Sequence, residues 1–313
     1  MNKKIFVAGH SGMVGSAVVR ELRKRNYSKI LVKSSKDLNL INQEEVEQFF
    51  KKEQPEVVII AAAKVGGILA NNTYRAEFIY DNLMIEANVI NSAFKNGCEK
   101  LIFLGSSCIY PKLAPQPLKE EYLLSDYLED TNEPYSVAKI AGIKLCENYY
   151  RQYELNYYSV MPTNLYGPND NFDLETSHVL PAFIRKFHEA KVHKKNSVTI
   201  WGSGKPMREF LYVEDLTDAL LFMMENINAK DIYDTGISQI NIGTGRDISI
   251  VELAKMISGI VGFKGGILHD ETKPDGTPRK LLDVSRMKSL GWEYKTELQE
   301  GIEKTYKWFK ENL

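Results

Sequence analysis

The feature that most constrains this chain is Gly9-His10-Ser11-Gly12-Met13-Val14-Gly15, which follows the apolar run Ile5-Phe6-Val7-Ala8 without a break. Glycines at i, i+3 and i+6 let the chain turn sharply out of a strand. They also bring backbone N–H groups up to a ligand with no Cβ in the way. The helix that follows offers its unpaired N–H groups and its dipole to an anion. A strand before the turn and a helical pattern after it separate a pyrophosphate cradle from an ordinary connection. We therefore expect Gly9, His10, Ser11, Gly12, Met13, Val14 and Gly15 to hold the diphosphate of a dinucleotide.

The first half of the chain repeats this unit. Apolar runs at 29–32, 56–63, 100–107 and 157–167 alternate with helical patterns near 14–25, 43–53, 74–96 and 135–153. Strands each followed by a helix predict a parallel sheet with helices on both faces. Several runs are apolar without alternation, as expected where both sheet faces are covered. The predicted class is α/β: a doubly wound parallel sheet of the Rossmann type with a smaller mixed α/β substrate lobe. After Pro168 the alternation weakens to a helix near 179–191, a short strand at 198–202, a helix at 214–225 and a run at 239–243 that returns to the first sheet. From about 247 the chain reads as helical, with a Gly/Pro-punctuated loop at 274–278. We assign 1–167 plus about 208–246 to the dinucleotide domain and about 168–207 plus 247–313 to the substrate domain.

Composition removes other classes. Lys plus Arg is 40 and Asp plus Glu is 41, a formal charge of −1, so no basic excess offers itself to nucleic acid. The apolar run at 5–8 is too short for a signal-peptide core or a membrane span. The cysteines are Cys98, Cys108 and Cys146, odd in number and with no CxxC pair. Neither a disulfide framework nor a metal site is expected, and the cytoplasm is the expected compartment.

The second strand carries the choice of cofactor. Strands that serve NAD end in a carboxylate that accepts from the ribose 2′-OH. Here the strand ends Leu31-Val32-Lys33-Ser34-Ser35-Lys36, with no carboxylate before Asp37. Lysine pairs with a 2′-phosphate that a carboxylate would repel. Lys33 and Lys36, with Leu38 beyond them, therefore predict NADPH over NADH.

Tyr135 and Lys139 stand at i and i+4, on one face of a helix. We expect the ammonium to lower the phenol from its free pKa of about 10. Tyr135 then serves as proton donor to the alkoxide formed by hydride transfer. Ser106 or Ser107 ends the run at 100–107, at the carboxyl edge where ligands bind in open α/β sheets. A hydroxyl there donates to a carbonyl oxygen as charge develops on it. Cys108 follows at once. A thiol has a free pKa of about 8.5, lowered by a nearby cation, and as thiolate it is a usable base for a proton beside a ketone. His178 begins the helix near 179–191 and is placed to return a proton from the opposite side. Spacing alone favours reading Cys108 as a packed thiol and His178 as a cap or surface group.

Gly9-x-x-Gly12-x-x-Gly15, Ser106/Ser107 and Tyr135-x-x-x-Lys139, in that order, resemble the extended short-chain dehydrogenase/reductases. More narrowly, AAAKVGGILANN at 61–72, LGSSCIYPK at 104–112, NEPYSVAKIAGIKLCE at 132–147, VMPTNLYGP at 160–168, WGSGKPMREFLYVED at 201–215 and KPDGTPRKLLDV at 273–284 resemble the GDP-L-fucose synthase family. Dehydratase relatives carry Asp-Glu where this chain has Ser107-Cys108. The resemblance implies NADPH-dependent epimerisation of GDP-4-keto-6-deoxy-D-mannose at C3 and C5, then reduction at C4. It implies Cys108 as base and His178 as acid in epimerisation, and Tyr135, Lys139 and Ser106 in reduction. It adds Leu104, Gly105, Ser107, Lys139, Pro162, Asn164, Leu165 and His178 as cofactor contacts, and Lys186, Trp201, Arg208 and Asp275 as contacts to the GDP-sugar. Two positions depart from relatives: Arg185-Lys186 stands for Arg-Arg, and Ser11 for an Arg that reaches the 2′-phosphate. The resemblance also implies a homodimer through the helices near 74–96 and 135–153.

Overall fold

The computed structural model describes the chain apart from Met1, Glu175 and Pro274, and apart from the side chains of Ile68 and Leu69. Pro274 of the expected loop at 274–278 thus lies outside the described residues. The strands are β1 (Ile5–Ala8), β2 (Ile30–Leu31), β3 (Val57–Ile60), β4 (Lys100–Leu104), β5 (Asn156–Pro162) and β6 (Asn164–Tyr166). They continue with β7 (Ser197–Trp201), β8 (Met207–Tyr212), β9 (Ile240–Ile242), β10 (Asp247–Ser249), β11 (Gly266–Asp270) and β12 (Arg279–Lys280). The helices are α1 (Met13–Lys24), α2 (Gln43–Glu53), α3 (Ile68–Thr73), α4 (Arg75–Lys95), α5 (Glu133–Tyr153) and α6 (Val179–Val192). After these come α7 (Val213–Asn226), α8 (Ala229–Tyr233), α9 (Ile250–Val261), α10 (Ser285–Ser289) and α11 (Leu298–Asn312).

Six strands form one parallel sheet in the order β2-β1-β3-β4-β5-β9. Its side chains sort by the two-residue period of a strand. Ile5, Val7, Ile59, Ile102 and Val160 pack with α1 and α7 on one face. Phe6, Ala8, Val58, Ile60, Leu101 and Phe103 pack with α2, α4 and α5 on the other. Both faces are buried, which is why these runs are apolar throughout. β2 and β3 flank β1 on opposite sides, so the strand order reverses there and opens a crevice at the carboxyl ends.

The expected run at 157–167 is two strands. Thr163 donates its N–H to the Ile242 carbonyl at 3.0 Å, and the Asn164 Nδ2 donates to the Glu209 carbonyl at 2.8 Å. The chain then leaves the first sheet as β6 and pairs with the Phe210–Tyr212 end of β8. β10 and β12 complete this second sheet on β8, and β11 pairs with β7. The segment after 247 is therefore not purely helical as expected; β10 and β12 are only three and two residues long, and β11 is largely exposed, so none carries an apolar run. As expected, β9 rejoins the first sheet. A third core, built on Tyr166, Phe183, Phe187, Phe210, Leu253 and Phe309, holds the second lobe together. Leu282 and Val284 return to pack on the α2–α4–α5 face, and Met287 and Trp292 on the α1–α7 face. Among the described residues no helix is long and apolar enough to cross a membrane, and no group of His, Cys, Asp and Glu has metal-holding geometry.

Candidate active site

The glycine loop closes against the helix it opens. Gly9 has φ +86, and Gly12 donates its N–H to the Gly9 carbonyl at 3.1 Å. A Cβ on Gly15 would lie 2.6 Å from the Gly9 carbonyl carbon, and one on Gly9 would lie 2.7 Å from Ala62 N. No side chain caps α1 at Gly12, so the N–H groups of its first turn face the loop. These residues fit a dinucleotide diphosphate. His10 and Lys33 both act electrostatically on Asp37, which brings the ends of β1 and β2 to one place. The Asp37 carboxylate accepts from Ser34 Oγ at 2.5 Å and, held by that bond, titrates below its ordinary range. Lys33, Lys36 and Ser11 are exposed there. The Leu38 side chain is buried, and Val14 is partly buried against the core.

Tyr135, Lys139, Ser106 and Cys108 meet at the end of β4. Ser106 caps a 3₁₀ turn over Ser107–Ile109, and its Oγ accepts from Cys108 N at 3.4 Å. Ser136, beside Tyr135 on α5, donates its hydroxyl to the Cys108 carbonyl at 2.9 Å. Ser107, Gly105 and Pro162 are buried beneath. The Lys139 ammonium is fully buried. It donates to the Leu104 carbonyl at 3.0 Å and pairs with Glu86 of α4 at 3.0 Å. The expectation that Lys139 brings the phenol down is not met. Protein crowded around the Tyr135 hydroxyl raises it well above 10, and Cys108 and Glu86 push the same way.

Cys108 opens onto a cavity of about 20 Å³, the size of one water, lined also by Glu129, Asn132, Arg279 and Lys280. Cys108 and Lys280 line this cavity and His178 does not; Lys280 acts electrostatically on His178, and Cys108 on Lys280. His178, an exposed residue, sits at the N-cap of α6 and makes no side-chain cap bond, so the cap reading is not met. Surrounding protein lowers its pKa, and Lys280 lowers it further. The loop before it is tied to the first lobe: Gly67 donates its N–H to the Thr176 carbonyl at 3.0 Å, and Asn169 donates to Ser16 at 3.1 Å.

Lys186, Trp201, Arg208 and Asp275 come from four segments and form one surface. The Lys186 ammonium stands 5.4 Å from the centroid of the exposed Trp201 ring, with Lys273 at 5.5 Å. The Asp275 carboxylate accepts from Ser203 N at 2.9 Å and Ser203 Oγ at 2.6 Å. Arg208 donates to the Thr277 carbonyl at 2.6 Å, and burial lowers its pKa as it does that of Lys186. Asn164 and Leu165 lie at the junction of the lobes on β6. Sequence reading missed Glu86 and Lys280. Glu86 carries no spacing signal; Lys280 was in view within KPDGTPRK but had no partner to give it a role.

A doubly wound sheet with a capless glycine loop, and a Tyr–Lys pair beside a Ser-bearing strand end, defines a dehydrogenase/reductase of the dinucleotide-binding fold. The model described as "NAD dependent epimerase/dehydratase family" matches residues 5–243, and the chain belongs to that family. Within it, the chain is 54% identical to GDP-L-fucose synthase of Escherichia coli (strain K12), over 99% of this chain and 97% of that protein. It is 56% identical to GDP-L-fucose synthase of Sinorhizobium fredii, over 99% and 96%. Among solved structures, GDP-mannoheptose C4 reductase from Campylobacter jejuni with NADP bound is similar at TM-score 0.91 and 42% identity, covering 99% of this chain and 98% of that one.

Proposed function

We propose that the chain converts GDP-4-keto-6-deoxy-D-mannose to GDP-L-fucose with NADPH, inverting C3 and C5 before reducing C4. The observation that supports this most is identity above 50% to GDP-L-fucose synthases along nearly the whole chain. The C4 ketone adjoins both C3 and C5, so one carbonyl acidifies both protons, and reduction comes last because it removes that acidity. Cys108 takes the proton from one face. His178 returns one from the other; its lowered pKa makes the imidazolium a stronger acid. Ser106 and Tyr135 donate to the C4 oxygen while it carries enolate charge. NADPH, when bound, supplies the hydride for C4. Tyr135, raised well above 10, keeps its proton at neutral pH and gives it to the C4 oxygen. Gly9–Gly15 hold the diphosphate, and Lys33 and Lys36 the 2′-phosphate. Leu104, Gly105, Ser107, Pro162, Asn164 and Leu165 border the nicotinamide end. Lys186, Trp201, Arg208 and Asp275 hold the GDP.

The first domain comprises 1–167 plus about 208–246 and the substrate domain about 168–207 plus 247–313, with β8 shared between their cores. Tyr80 and Val137 are exposed on α4 and α5, beside an apolar groove that includes Ile79 and Pro134. This face suits a second copy of the chain, and the homodimer forms there. Three free thiols suit the reducing cytoplasm.

A second reading, a C4 reductase without epimerisation, is favoured by the likeness to the heptose reductase. Incubation with GDP-4-keto-6-deoxy-D-mannose and NADPH, followed by chromatographic identification of the sugar nucleotide, separates the two. GDP-L-fucose supports the proposal. A C4-reduced product with the C3 and C5 configurations of the substrate overturns it.

A further inference from the structure

The inner face of α4 carries Phe78, Asn82 and Glu86 at four-residue spacing, one stripe of the helix. Each touches the neighbourhood of the Tyr–Lys pair. The Phe78 ring meets the Tyr135 ring edge-on at 6.4 Å. Asn82 accepts from Lys64 N at 2.9 Å and donates to the Lys64 carbonyl at 3.1 Å, fixing the chain after β3. Glu86 reaches the Lys139 ammonium at 3.0 Å, with side chains 1% and 2% exposed.

The fold is shaped around this pair. Gly142 lies mid-helix in α5, where glycine costs roughly 0.5–1 kcal/mol against alanine. A Cβ there would stand 2.7 Å from Glu86 Oε2 and 2.5 Å from the Phe103 ring. The glycine keeps the space the carboxylate occupies. Lys139 donates to the Leu104 carbonyl, and its ammonium stands within ion-pair distance of Glu86, whose two carboxylate oxygens are buried and make no hydrogen bond. A buried ion pair is weak evidence of a gain in stability, so a pair kept at the proposed reduction site asks for a chemical reason.

We propose that Glu86 is a positioning residue for reduction: it holds the Lys139 ammonium in place and balances its charge beside Tyr135. The inference rests on Tyr135 being the proton donor. The titratable groups facing the pair are Tyr135 and Cys146 on α5, with Cys108 facing Tyr135 from the turn after β4. Burial raises the Glu86 pKa and the Lys139 ammonium acts against that rise; the charged carboxylate beside Lys139 favours the protonated phenol. Without it, the unbalanced ammonium favours tyrosinate, and the donor loses its proton at lower pH.

The test compares Glu86→Gln, Glu86→Asp, Lys139→Met and Glu86→Gln/Lys139→Met for NADPH-dependent reduction across pH. Glu86→Gln is expected to lower kcat about tenfold or more and to move the alkaline limb down by about one pH unit, with KM for the GDP-sugar unchanged. Glu86→Asp keeps the charge and is expected to keep the limb in place with an intermediate kcat. Glu86→Gln adds no further loss once Lys139 is methionine. An unmoved limb in Glu86→Gln overturns the proposal, as does an equal loss in the Lys139→Met background or full turnover in Glu86→Asp. Tyr135→Phe separates the two levels: if it still reduces, the underlying reading fails. If it is inactive while Glu86→Gln behaves as wild type, only the role of Glu86 fails.

Discussion

Replacing Gly15 by alanine sets a Cβ 2.6 Å from the Gly9 carbonyl carbon and 2.8 Å from His10 Cα, where ordinary contact begins at 3.4 Å. The first of these is about 0.8 Å too short, and the Gly9 carbonyl oxygen is nearer still. Both obstacles are backbone, so no flexible side chain swings away; the loop itself must lift from α1. Overpacking of this kind costs about 1–3 kcal/mol. The same shift moves the N–H groups that cradle the diphosphate, and each 1.4 kcal/mol lost there is about tenfold in affinity. Gly12→Ala is the internal control. Its Cβ would meet nothing nearer than the Gly9 oxygen at 3.6 Å, and its φ is −77. Denaturant unfolding without cofactor should place Gly12→Ala within about 0.5 kcal/mol of wild type and Gly15→Ala well below it. Fluorescence titration with NADPH should show at least a tenfold weaker Kd for Gly15→Ala. Wild-type stability and affinity in Gly15→Ala, or an equal stability loss in Gly12→Ala, would refute the packing argument.

Cys108→Ala should end exchange of the C3 and C5 protons with solvent while NADPH is still consumed on the ketone; exchange at the wild-type rate would remove the thiol from its role. Lys33→Ala with Lys36→Ala should weaken NADPH about tenfold and leave NADH unchanged, the effect fading in high salt; equal loss for both coenzymes would contradict 2′-phosphate recognition. Glu120 titrates near 7 because burial disfavours its charge, against about 4.3 unfolded. The folded protein thus holds a proton that the unfolded chain has lost across that window, and wild-type stability falls as pH rises through it. Glu120→Gln keeps an acceptor for Asn241 N and should remove this fall, on the order of 3 kcal/mol. Identical pH dependence of the two unfolding free energies would count against it.

The glycine loop and the five apolar runs were legible because their demands are local: a turn that excludes Cβ atoms, and strands covered on both faces. Tyr135 and Lys139 were legible as a pair for the same reason, four residues apart on one helix. Glu86 was not, because its partner lies across two packed helices and the pairing has no sequence period. The expected fall in the Tyr135 pKa failed first because burial disfavours the phenolate, and then because Cys108 and the unseen Glu86 push the same way. The break at Thr163 was hidden because that single residue separates β5 from β6, so one continuous extended run leaves the first sheet for the second.

The central claim is that one ketone first loosens two neighbouring hydrogens and is then reduced in the same site. Running the reaction in heavy water with unlabelled NADPH and reading the product by NMR tests it most directly. The account predicts GDP-L-fucose carrying deuterium at both C3 and C5 and protium at C4. A reduced sugar with no deuterium at C3 or C5 would contradict it.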